Sequence, residues 1–151
     1  MVQPTKKEAK GMKQVLVDIL RIKGKTLADL KRSGAMKVKN GGYMDLNVDY
    51  LGKECGLDKY AVAHNYIQEG DVMKDPDMMF YDLEFENDFW ASSFEQDNPP
   101  ISQFSMVCEN GQLQKNDKLQ KQHQSFSKQW ARNLKQQGFT EVSPKDITLE
   151  E

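Results

Sequence analysis

The amino-acid sequence predicts a single α+β domain: an antiparallel β-meander of about five to seven strands, with two N-terminal helices before it and one C-terminal amphipathic helix after it. Near both ends of the chain apolar side chains recur at steps of three and four, which marks amphipathic helices. Between them the period shortens to two and is punctuated by Asn-Gly pairs, which marks hairpins. The third observation is size. A chain of 151 residues, 38% hydrophobic, with two Trp, seven Phe and five Tyr, can fill one core but not two. Residues 1–142 are expected to form the domain and 143–151 a frayed tail, since that stretch has little to bury.

From the N-terminus, Thr5 and Glu8 make a T-x-x-E capping box. Met12, Val15, Leu16, Ile19 and Leu20 follow at helical spacing, predicting a helix over 6–23 that stops at Gly24. Thr26 caps a shorter helix to about Ser33, with Leu27 and Leu30 inward and Gly34 as the stop. Strands are predicted over 36–39 and 43–49 around Asn40-Gly41-Gly42, with Met44, Leu46 and Val48 facing inward. Further strands are expected over 60–67 and 78–89, and Gly70 and Pro76 mark 68–77 as the turn between them. Strands over 89–94 and 101–108 flank Asp97-Asn98-Pro99-Pro100, and Glu109-Asn110-Gly111-Gln112 is a second Asn-Gly turn. Leu119, His123, Phe126, Trp130 and Leu134 define a helix over about 117–137, closed by Gly138 in the left-handed position and by Phe139 after it.

The net charge of -2 conceals a strong segregation: residues 1–40 carry +8, residues 41–100 carry -11 and residues 101–151 carry +1. Either the protein has a basic face and an acidic face, or the two segments pack together and neutralise each other. Residues 1–10 are charged and lack the apolar run of a signal peptide, and no stretch approaches the roughly 18 apolar residues of a membrane span. A cytoplasmic protein with no membrane partner is therefore expected. Cys55 and Cys108 stand 53 residues apart, with no second Cys or His at zinc-ligand spacing, and are expected as half-buried reduced thiols.

The densest cluster of chemistry-bearing residues is His64, Glu69, Asp71, Asp75, Asp77, Asp82, Glu84, Glu86 and Asp88. A metal-dependent hydrolase would draw on His64, Asp71, Asp75 and Asp77. The spacing of four and two, with no following Gly, does not match a Ca²⁺ loop, and Glu84-Phe85-Glu86 lacks the Lys of a metal-nuclease Glu-x-Lys. A protein-binding surface would use Asp71, Asp75, Asp77, Asp82, Glu84, Glu86 and Asp88. The last four alternate with Leu83, Phe85 and Phe89 as one face of a strand, at intervals of about 6.7 Å. That row is either a solvated edge that discourages aggregation or a surface for a basic partner.

A nucleic-acid surface would instead use Lys6, Lys10, Lys13, Lys118, Lys121, Lys128, Arg132 and Lys135, if the end helices share a face. His123 reads as a core or boundary imidazole. The chain has no Gly-rich phosphate loop, no G-x-S-x-G elbow and no H-E-x-x-H, so no catalytic residue is assigned, no cofactor is expected and an enzyme is the less favoured class.

The stretch A-H-N-Y-I-Q-E-G-D-V-M-K-D-P-D-M-M-F resembles the signature of an uncharacterised domain of bacterial plasmids, conjugative elements and phages, written H-x-Y-x-Q-N-G-D-x-x-x-D-P-x-M. The matching positions are His64, Tyr66, Gln68, Gly70, Asp71, Asp75, Pro76 and Met78, and Glu69 departs from the usual Asn. The resemblance runs over about residues 24–139, through T-L-A-D-L and Y-M-D-L-N-V-D to F-S-K-Q-W-A-R-N-L-K-Q-Q-G-F. It implies a mobile-element origin and a cytosolic bacterial setting, and it implies no activity. The expectation is a small non-enzymatic accessory protein that binds a host or element-encoded protein through an acidic hairpin over 69–88, the alternatives being a DNA- or RNA-binding factor and a metal-dependent hydrolase.

Overall fold

A computed structural model describes residues 9–150. Helices α1 (Gly11–Ile22) and α2 (Leu27–Ser33) precede strands β1 (Ala35–Val38), β2 (Asp45–Glu54), β3 (Leu57–Gln68) and β4 (Asp71–Asp82). Then come β5 (Trp90–Ala91), β6 (Ser93–Asp97), β7 (Pro100–Phe104), β8 (Met106–Glu109), β9 (Gln112–Lys115), helix α3 (Asp117–Gln136) and β10 (Ile147–Leu149). Eight strands form one sheet in the order β10-β1-β2-β3-β4-β6-β7, with β5 beside β4, and all its pairings are antiparallel. Strands β8 and β9 form a separate hairpin. The α+β class and the meander are as the sequence predicts. The ten strands of the described residues exceed the expected five to seven, because the strands predicted over 89–94 and 101–108 are each broken in two and β9 and the tail add one each.

The core lies on one face of the sheet, where Met12, Leu16 and Ile19 of α1 and Leu134 of α3 meet Val62, Met78 and Phe80, all fully buried. At one end of the opposite face the β8–β9 hairpin is tied down: Cys108 is disulfide-bonded to Cys55 in the β2–β3 turn, Cα to Cα 6.0 Å. Lys115 Nζ also sits 4.7 Å from the centre of the Trp90 ring. The expectation of two reduced thiols is thus corrected. The spacing test addressed zinc ligands, whereas a meander returns chain segments far apart in sequence to one sheet face.

Local signals held where the partners are local. Thr26 and Asp29 form a reciprocal capping box on α2, and Gly34 ends it at φ +94°. Asn110 and Gly111, at φ +51° and +77°, make the β8–β9 turn. Asn116 accepts the Leu119 N–H at 3.1 Å to start α3, and Gly138 ends it at φ +89° with Phe139 buried behind it. The buried face of α3 is Gln120, His123, Ser127, Trp130, Ala131 and Leu134, so the predicted stripe is rotated and Phe126 stays 41% exposed.

Four expectations are overturned. Helix α1 begins at Gly11, and residues 9 and 10 are not helical; the Thr5–Glu8 box and Lys6 lie outside the described residues. Residues 71–77 are strand, and the turn is reduced to Glu69 and Gly70. Pro76, which has no N–H to donate, sits where the β3–β4 register shifts between Ala63 and Asn65. The strand predicted over 78–89 ends at Asp82, and the Glu86 N–H donates to the Leu83 carbonyl at 2.8 Å to turn the chain. Finally, 143–150 is not frayed: β10 pairs with β1, and Ile147 is 1% exposed. The domain therefore runs on through residue 150.

Candidate functional site

The seven carboxylates proposed as one acidic surface are distributed by β4 into separate environments. Asp71 and Asp82 are the two ends of that strand, about 36 Å apart at strand rise. At the far end β3 and β4 outrun their neighbour: β2 pairs with β3 only as far as Asn65, while β3 and β4 continue to Gln68 and Asp71. This projecting tip carries Glu69 and Asp71, and Asp75 stands below it, at the level where β2 still pairs with β3; all three are exposed. Its cross-strand pair Ile67 and Val72 is 75% and 67% exposed, large apolar surface given to solvent beside carboxylates.

Asp77 follows Pro76 and precedes Met78, both buried on the core side, so it lies on the opposite face, where burial raises its carboxyl above the usual range. Lys74 next to it donates to Glu95 at 2.8 Å. Asp82 is taken by Lys13 of α1, Nζ to Oδ1 2.8 Å, with both side chains mostly buried. Glu84 and Glu86 are exposed in the turn on either side of Phe85, which is 89% exposed. Asp88 is buried against the start of α1, accepting the Lys13 N–H at 3.3 Å and its neighbour Phe89 N–H at 2.8 Å. Asp82, Glu84, Glu86 and Asp88 therefore do not form a row, because the chain leaves the sheet after Asp82.

The metal set is not assembled. His64 turns into the core against Trp130 and Phe139, ring centres 5.4 and 5.6 Å away, with Nδ1 3.2 Å from the Asp45 carbonyl. Burial holds its imidazole below the ordinary value, against the pull of that carbonyl. Asp71 is at the tip and Asp77 on the other face. Among the described residues no three His, Cys, Asp or Glu side chains are grouped to hold a metal ion. His123 is buried as expected, with Nδ1 2.8 Å from Ser105 Oγ and Nε2 3.1 Å from Gln103 Oε1.

The basic set divides as well. Lys13 is paired with Asp82, and Lys31 of α2 reaches the buried Asp58 at 2.9 Å, so part of the segregated charge is neutralised between segments. Burial pushes the Asp58 carboxyl up, but hydrogen bonds from Tyr50 and Lys31 outweigh it and hold it low. Lys118, Lys121, Lys128, Arg132 and Lys135 are exposed along one side of α3, and none is in an ion pair among the described residues. Lys10 stands near the last three, across a shallow cleft floored by Gly11, Asp88 and Ala131.

No helix among the described residues is long and apolar enough to cross a membrane. Neither the curated proteins nor the solved structures contain a match to this chain. Residues 14–140 match a family described as a domain of unknown function, DUF6908, and because that match spans most of the sequence, the chain belongs to this family.

Proposed function

We propose that this protein is a non-enzymatic binding module whose docking element is the tip of the β3–β4 hairpin, acting on a basic partner protein. The observation that carries the reading is the Ile67–Val72 pair, 75% and 67% exposed on a hairpin that extends past its neighbouring strands. Apolar contact supplies the affinity of such an element, and the flanking Glu69, Asp71 and Asp75 select a cationic partner and steer its approach. The residues of the mobile-element signature, from His64 to Met78, build this hairpin, and on that resemblance we read the protein as an accessory protein of such an element. A photo-crosslinker at Val72 is expected to capture a basic protein from its host. Capture that persists undiminished when Glu69 and Asp71 are both changed to Lys overturns the reading.

A second reading rests on α3. Five cations, unpaired among the described residues, span 18 residues in a stripe about 26 Å long, enough to follow several phosphates of DNA or RNA. Fluorescence anisotropy with duplex and single-stranded oligonucleotides at about 50 mM salt tests it. Binding that weakens with salt and in the Lys121→Ala, Lys128→Ala, Arg132→Ala variant supports it, and no binding at that salt removes it.

A further inference from the structure

The meander ends on an edge that is unusually free of protection. Strand β7 pairs with β6 on one side and is the last strand of the sheet on the other. All five of its residues, Pro100 to Phe104, are exposed. Edge strands of this kind are ordinarily guarded by charged side chains, because unpaired backbone N–H and C=O groups invite another strand. Here residues 98–108 contain no charged side chain at all, in a chain of which 29% is Asp, Glu, Lys or Arg. Pro99 and Pro100 guard only the start of the strand.

Apolar side chains flank this edge on both faces. Gln103 reaches His123 of α3, so Gln103 and Ile101 face the helix side, where Ile101 is 37% exposed and nearby Phe126 of α3 is 41% exposed. Phe104 points to the other side, 49% exposed, and Val107 of β8 lines the same shallow surface at 38%. An incoming strand would gain main-chain hydrogen bonds along its length and apolar contact above and below.

We infer that β7 pairs antiparallel with β7 of a second copy of this chain, about a two-fold axis near Ser102, joining two sheets into one. A second copy fits this edge better than a charged segment does. Laid antiparallel on itself, Pro-Ile-Ser-Gln-Phe places Ile101 opposite Gln103 and Pro100 opposite Phe104, so no charge faces a like charge and none is buried unpaired. The two-fold also places each copy's exposed apolar side chains against an equivalent neutral strand. The opposite edge, β10, is a three-residue strand followed by Glu150 and Glu151, and self-pairing there would bring like charges together.

Sedimentation equilibrium of the whole chain tests the proposal. The wild type is expected to reach twice its 17.4 kDa mass at concentrations of about 100 µM, and Ser102→Lys to remain at the single-chain mass with an unchanged circular dichroism spectrum. Hydrogen exchange on the wild type supplies a readout that does not depend on the variant folding: amides of residues 101–104 should gain protection as concentration rises, while those of β10, at the opposite edge of the sheet, should not. A wild type that is monomeric throughout that range, a dimer that survives both Ser102→Lys and Ile101→Lys, or β7 amides whose exchange ignores concentration overturns the inference.

Discussion

Gly11 and Asp88 occupy one space: a Cβ on Gly11 would lie 2.7 Å from the carboxylate carbon of Asp88, and the glycine itself is at φ +58°. The carboxylate in turn accepts the Lys13 N–H from 75 residues away, so a distant loop residue caps α1 in place of a local one. Gly11→Ala should therefore cost about 2–4 kcal/mol, from the left-handed backbone and the displaced carboxylate together. Chemical denaturation of the variant beside Gly24→Ala, which has open space at its Cβ, separates the two contributions. An equal loss in both variants would reduce the effect to backbone strain.

Stability should fall as pH falls from neutrality toward about 5, through the two buried histidines. Burial lowers the pKa of both His64 and His123 from the ordinary 6.5, so the unfolded chain takes up protons first and the loss begins near that value, continuing down to the folded pKa values. Asp77 and Asp88 act in the opposite sense, since burial raises their carboxyls and acidification relieves that cost. Melting temperatures at pH 7.5 and 5.5 should therefore differ less in His123→Gln than in the wild type. An unchanged difference would mean that His123 takes up its proton equally readily in the folded and the unfolded chain.

The Cys55–Cys108 disulfide closes a loop across 53 residues and joins the β8–β9 hairpin to the main sheet. Removing it as Cys55→Ser plus Cys108→Ser should cost about 2–4 kcal/mol under non-reducing conditions. A reductant should lower the melting temperature of the wild type and leave that of the double variant in place. Free-thiol titration of the denatured protein supplies the direct check, with no reactive thiol expected before reduction.

What could be read in the sequence is what neighbours in sequence decide. The Thr26 cap, the Asn110-Gly111 turn and the Gly138–Phe139 close of α3 each involve residues within a few positions of one another, and each is found where the pattern places it. Most of the failures are long-range. The cap of α1 comes from Asp88, the partner of Cys55 is in another hairpin, and Ile147 is buried because β1 offers an edge to pair with. The acidic row failed for a different reason: Leu83 and Phe85 alternate with acids as an inward-facing strand would, yet Phe85 faces solvent. Alternation reports a face only if the chain stays extended, and the turn from Leu83 to Glu86 removes that condition. The candidate site was legible as a hairpin with an acidic, apolar composition. That its tip projects could not be read, because projection depends on where β2 stops.

The exposed tip separates function from folding. Ile67 and Val72 leave most of their surface in water, so replacing both with Asp removes little buried apolar area and should change stability by less than about 0.5 kcal/mol each. Val62→Ala, on the same β3 strand but fully buried, should cost about 2–3 kcal/mol by comparison. If the tip is the docking element, the double Asp variant loses partner binding while its denaturation midpoint stays with the wild type. A large stability loss in that variant would show instead that the tip packs against the body of the protein, and its apolar pair would then be a folding feature.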